Sequence, residues 1–192
     1  MLKVLLVNDT PKQVGRLQAG LKQAGIHLVE EVCSAIRIPQ RVAALAPDIV
    51  IIDTESPSRD VLEQLCVVTR DDPRPIVMVS EDSQPSAIRA AIQAGVSAYV
   101  VEGIDEERLN AVLAVAQARF EQDQELRRQV TRAESRLEER KTIERAKGLL
   151  MQLRNMNEGD AYAAMRKMAM DRNIRLVDVA RKLISMNDLL SA

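Results

Sequence analysis

Five positions in the first hundred residues carry the side chains best suited to chemistry on a charged ligand: Asn8, Asp9, Asp53, Ser80 and Glu102. Each follows a short apolar run. KVLLV leads into Asn8 and Asp9, IVII into Asp53, IVMV into Ser80 and AYVV into Glu102. Such runs read as strands, and in an open α/β sheet ligands sit in the crevice outside the carboxyl ends of the strands. Asp9 and Asp53 beside an oxygen-bearing neighbour could hold Mg²⁺, and an exposed Asp next to a divalent cation is a reasonable phosphoryl acceptor. No other cofactor is expected. Two cysteines and one histidine cannot build a Cys/His zinc site. The single His27 argues against phosphotransfer, and without a nucleophile–base pair the chain does not read as an enzyme.

A second group is basic and confined to residues 138–192: Lys141, Arg145 and Lys147, Arg166 with Lys167, Arg172 with Arg175, and Arg181 with Lys182. Tyr162, one of three aromatic residues, lies among them. Cations on a helix surface contact phosphates, and guanidinium planes or aromatic rings stack on unpaired bases. A single cation is more often just solvated, and a Tyr at this spacing equally suits a core position with its hydroxyl at the surface. The charge distribution favours the group. Residues 1–104 hold 10 basic against 13 acidic side chains (−3), residues 105–137 hold 6 against 7 (−1), and residues 138–192 hold 11 against 8 (+3). A basic end on a chain of net charge −1 hints at an anionic partner.

The elements that must position these groups follow from periodicity. A length of 192 residues suits two domains. A composition 46% hydrophobic and 29% charged excludes fibrous and membrane classes. No run approaches the roughly 20 apolar residues of a membrane span, so no membrane partner is expected. The opening MLKVLLVNDT reads as a strand and not as a signal peptide. Cys33 and Cys66, each in an apolar context, read as buried free thiols of a cytoplasmic protein. Strands are expected at Lys3–Val7, His27–Val32, Ile49–Ile52, Ile76–Val79 and Ala98–Val101. Helices alternate with them: one opened by Pro11 and stopped at Gly25, then Pro39–Leu45, 60–69 and Pro85–Ala94. This is a five-stranded parallel, doubly wound (flavodoxin-like) α/β domain over residues 1–104.

From Asp105 the chain changes character, with no Gly or Pro between Ile104 and Lys147. In heptad register Leu109, Ala116, Val130 and Leu137 take a positions, and Val112, Leu126 and Ala133 take d positions. Asp123, Arg119 and Arg140 interrupt the seam. A long helix pairing as a coiled coil over 105–137, hence a homodimer, is the expectation. Residues 138–192 read as three helices. There Ala146, Gly148, Ala161, Ala164 and Ala169 are small enough for close packing, and Leu and Met fill the core.

Two resemblances extend this reading. Residues 1–104 resemble the receiver domains of response regulators, through VNDT at Val7–Thr10, IIDTE at Ile51–Glu55, VMVSED at Val77–Asp82 and AYVVEG at Ala98–Gly103. The resemblance implies that Asp53 stands at the phosphoacceptor position, Asp9 at a metal-binding position, and Ser80 where a hydroxyl meets the phosphoryl group. Two departures weaken that chemistry. Asn8 replaces a second acidic residue, and Glu102-Gly103 replaces a Lys–Pro pair, so Glu102 opposes an incoming dianion. A receiver-like domain governed by a protein partner is the favoured expectation. The stretches RKTIERAKGLLM (Arg140–Met151), EGDAYAAMRKMAM (Glu158–Met170) and RLVDVARKLI (Arg175–Ile184) resemble the ANTAR domain of AmiR/NasT-type regulators. That resemblance implies RNA-binding antitermination: a dimer holds hairpins in a leader mRNA and prevents terminator formation. A sensor protein of the nitrate-binding NasS type would restrain it. The VVEG ending and the short receiver favour the nitrate branch over the amide branch. The rival is a phosphorylation-dependent, DNA-binding response regulator, against which the mostly apolar last helix offers few base-reading side chains.

Overall fold

The structure, a computed structural model, describes residues 2–8, 20–23, 25–32, 38–104 and 106–190. Asp9, Cys33 and most of the helix expected after Pro11 lie outside the described residues; residues 20–23 are helical. The chain divides into two compact units, Met1–Gln124 and Glu125–Ala192.

The first unit is built on a five-stranded parallel sheet: β1 (Lys3–Asn8), β2 (His27–Val32), β3 (Ile49–Thr54), β4 (Ile76–Ser80) and β5 (Ala98–Val101), in the order β2-β1-β3-β4-β5. The apolar runs are continuous because both sheet faces are covered, and alternate residues divide between them. Leu5, Val7, Val50, Ile52, Ile76 and Met78 pack on one side. They meet α1 (Ile38–Leu45) through Ile38 and Val42, α2 (Arg59–Asp71) through Val61, Leu65 and Val68, and α3 (Pro85–Gln93) through Ala91. Val4, Leu6, Ile49, Ile51, Val77 and Val79 face the other side, against Leu21 and the start of α4 (Glu106–Arg154). Ser58 caps α2 by accepting from the Val61 N–H at 3.3 Å. Pro85 opens α3 at its first turn, where a missing N–H costs nothing.

Cys66 is exposed and not buried. On α2 the buried positions are 61, 65 and 68, and residue 66 is turned a quarter of the helix circumference away from 65. Local apolar context misled there because helical spacing, not neighbourhood, decides burial.

The long helix is 49 residues, running without a break from Glu106 to Arg154. Its first turns do not belong to a free seam: Leu109, Leu113 and Ala116 are buried in the receiver core. In the second unit the helix packs against α5 (Glu158–Asp171) and α6 (Leu176–Leu190). Ala146, Leu150, Ala161, Met165, Ala169, Val179 and Ala180 form their core. Gly148 is not a packing glycine, since a Cβ built on it would meet nothing within 4 Å. The turns before α5 and α6 pass through Asn155 and Asn173 with φ of 48° and 49°. This left-handed conformation is one that Asn tolerates better than most residues. Asn157 caps α5, its side chain accepting from the Asp160 N–H at 2.9 Å.

Candidate functional site

At the carboxyl edge of the sheet the strand register brings the expected residues together. Asn8 pairs with Asp53 across β1 and β3, and Thr54 with Ser80 across β3 and β4. Asn8, Asp53, Thr54 and Ser80 are all buried. Burial, and then the charge of Glu81, push the Asp53 carboxyl above the usual carboxylate range. The Ser80 hydroxyl is already engaged: it donates to the Glu55 carbonyl at 2.9 Å and accepts from the Asp82 N–H at 3.1 Å. Asp82 ties the neighbouring loops together. Its carboxylate accepts from the Ser56 hydroxyl at 2.7 Å and from the Gln84 N–H at 2.9 Å, and its carbonyl accepts from the Tyr99 hydroxyl at 2.8 Å. The Gln84 N–H and then the Ser56 hydroxyl hold the Asp82 carboxyl below its ordinary range.

Glu102 is exposed at the end of β5 with φ of 65°, and its N–H donates to the Ser80 carbonyl at 3.2 Å. The crevice therefore has a carboxylate at its rim where charge neutralisation would be needed. Asp9, the second expected Mg²⁺ ligand, lies outside the described residues. Among the described residues no group of three or more His, Cys, Asp or Glu side chains comes together as a metal site. What remains of the donor set is Asp53 with the Asn8 amide, which does not by itself fit a hard divalent cation that takes most of its ligands from carboxylates and water.

The basic residues of the second unit fall into three environments. Lys147 is in the interior, 8% exposed, and its ammonium is clamped by Glu144 and by Glu158 at 2.7 Å. Hydrogen bonds to Glu144 and then Glu158 raise the Lys147 pKa, and the same contact lowers that of Glu158. Its expected place on an RNA-contacting surface is corrected: Lys147 joins α4 to the start of α5. Spacing held the clue, because residues 143, 146, 147 and 150 form one helical stripe and the other three are buried or partly buried core residues.

A second set is exposed but paired. Lys141 meets Glu138 at 2.7 Å, and Arg145 meets Asp188 at 3.4 Å. Arg175 meets Asp178 at 3.1 Å and Glu139 at 3.6 Å, and Arg181 meets Asp178 at 3.2 Å. Asp178 sits three residues from both Arg175 and Arg181, so its sharing is legible in helical spacing. The Arg145–Asp188, Arg175–Glu139 and Lys147–Glu158 pairs join residues far apart in sequence, and no local pattern announces them. The third set, Arg166, Lys167, Arg172 and Lys182, is exposed and makes no ion pair among the described residues. Tyr162 is exposed as well, at 44%.

A doubly wound sheet with an acidic crevice at its carboxyl edge, followed by a compact helical unit rich in cations, defines a regulator with an input and an output half. The response regulator receiver domain family matches residues 4–114, and the ANTAR domain family matches residues 131–184. The chain is 31% identical to the transcriptional regulatory protein PdtaR of Mycobacterium tuberculosis over 178 residues, covering 93% of this chain and 87% of that protein. It is 47% identical to the nitrate regulatory protein of Klebsiella oxytoca over 66 residues, which is 34% of this chain and 17% of the relative. Among solved structures, the signal receiver domain of the response regulator NarL from Mycobacterium tuberculosis shares the fold. Its TM-score is 0.54 at 20% identity, covering 60% of this chain and 96% of that domain. The chain belongs to the response regulators that join a receiver domain to an ANTAR domain.

Proposed function

We propose that this protein is a transcription antiterminator that binds hairpins in a leader mRNA through its second unit and prevents formation of a terminator. The observation that carries the reading is the coincidence of the ANTAR match at residues 131–184 with a helical unit whose surface presents exposed arginines and lysines. Residues 138–192 carry a net charge of +3, the sign an RNA partner requires. In the receiver, an engaged Ser80 hydroxyl and the Glu102 carboxylate speak for control by a partner protein rather than by phosphorylation of Asp53. The likeness to a nitrate regulatory protein supports nitrate or nitrite as the signal and a nitrate-binding sensor protein as the restraint. The exposed Leu126, Val130 and Leu137 support a homodimer formed along α4.

The direct test compares binding of the full-length protein to the transcribed leader of a nitrate-assimilation operon and to duplex DNA of the same sequence, over a range of KCl concentrations. RNA binding tighter than duplex binding at every salt concentration is expected. Preference for the duplex would overturn the reading in favour of a DNA-binding regulator.

A further inference from the structure

The outward side of α5 differs from the rest of the second unit in having cations without carboxylates. Ala161, Met165, Met168 and Ala169 face the core. Tyr162, Ala163, Arg166, Lys167 and Met170 are exposed. Tyr162, Arg166 and Met170 are spaced by four residues and so form one ridge, and Ala163 and Lys167 form the adjoining one. Between Ala161 and Met170 there is no acidic residue. The carboxylates at the helix start are turned to other work: Glu158 holds Lys147, and Asp160 accepts from the Asn157 side chain at 2.8 Å. Met170 is 71% exposed, an unusual place for a large thioether.

Elsewhere an approaching phosphate would compete with a carboxylate at Lys141, Arg145, Arg175 and Arg181. On α5 it would not. An aromatic face and a polarisable methionine set beside two unneutralised cations match single-stranded nucleotides, whose bases stack on side chains while the backbone is held by charge. Paired helical RNA would offer phosphates but no base face to Tyr162.

We propose that the exposed ridge of α5, Tyr162, Arg166, Lys167 and Met170, is the surface that takes the unpaired loop nucleotides of an RNA hairpin. The proposal rests on the RNA-binding reading and narrows it to one helix face. Arg166 and Lys167 hold loop phosphates, and Tyr162 and Met170 cover base faces. Lys147, Arg175 and Arg181 shape the unit instead.

The test uses the full-length protein and a fluorescently labelled pool of RNA stem–loops with a randomised loop, titrated by anisotropy over a range of KCl concentrations. The double variant Arg166→Ala/Lys167→Ala is expected to lower affinity at least tenfold and to reduce the slope of log affinity against log salt by about 2. Tyr162→Ala is expected to cost roughly five- to hundredfold in affinity with the slope retained. Arg132→Ala/Arg136→Ala removes the same charge from exposed positions of α4 and should leave the slope in place. Circular dichroism confirms that each variant is folded. If wild-type protein binds the pool but Arg166→Ala/Lys167→Ala leaves the slope unaltered, or the α4 control moves it equally, the α5 surface is wrong and the RNA reading stands. If wild-type protein ignores the pool even at low salt, the RNA reading falls and this surface with it.

Discussion

At the scale of single residues, Asp53 is the most informative side chain of the receiver. It is buried beside the amide of Asn8, where a second carboxylate or a cation would change its titration altogether. Its raised pKa means that the folded protein holds that proton more tightly than the unfolded chain does. The resulting stabilisation is present in full below the ordinary carboxylate range and is lost as pH rises through the raised value. At neutral pH the protein therefore carries a buried, poorly compensated charge. Asp53→Asn, which keeps the shape and removes the charge, is expected to raise the melting temperature at neutral pH by about a few degrees. The advantage should shrink as pH falls toward the ordinary carboxylate range. Circular dichroism melts at stepped pH check this. A neutral-pH melt lower for the Asn variant would mean that the carboxylate is held by a cation. The convergence of Asn8, Asp53 and Ser80 was legible in the sequence because each ends an apolar run. The engagement of Ser80 by Glu55 and Asp82 was not, since it depends on how two loops meet.

At the scale of elements, period-2 and helical patterns located every strand and all helices that fall within the described residues. Two features of α4 needed tertiary information. A heptad seam and a core-facing helix stripe use the same spacing, so Leu109 and Ala116 fitted a coiled coil equally well until the sheet claimed them. Gly148 read as a close-packing residue among alanines, yet it lies in the middle of a helix beside open space. Glycine there adds conformational freedom to the unfolded chain and brings no packing in return. Gly148→Ala is thus expected to stabilise the protein by about 0.5–1 kcal/mol, read as a shift of the urea midpoint at constant slope. Destabilisation would show that another body occupies the space next to this turn of α4. Gly95 is the contrasting case. It has φ of 100°, and an added Cβ would collide with Thr69 at the end of α2, its Cγ2 only 2.7 Å away. The stop it gives α3 was readable, and the close approach that requires it was not.

At the scale of the whole molecule, the weight falls on the middle of α4. From Glu125 to Glu138 every side chain is exposed in the single chain, including Leu126, Val130 and Leu137, each more than half open to solvent. Helix propensity alone is a weak reason for so long an uncovered stretch, and a second copy is the natural cover. Three such residues from each copy, losing about half their area apiece, contribute together roughly 5–9 kcal/mol. Association costs about 4–15 kcal/mol before any polar contact is counted. The two ranges overlap, so this stretch supports a dimer that assembles and dissociates with protein concentration rather than a permanent one. An RNA with two adjacent hairpins would then favour the paired form, because the second hairpin binds at an effective concentration set by the first. Leu126→Asp/Leu137→Asp puts charge into the seam without touching the buried residues of either core. It is expected to give a monomer by light scattering at concentrations where the wild type is dimeric. Its affinity for a two-hairpin RNA should fall by about a hundredfold or more, while binding to one hairpin stays close to that of the wild type. A variant that remains a dimer would place the contact between copies outside this stretch. A monomer that keeps its two-hairpin affinity would show that pairing along α4 and RNA recognition are independent.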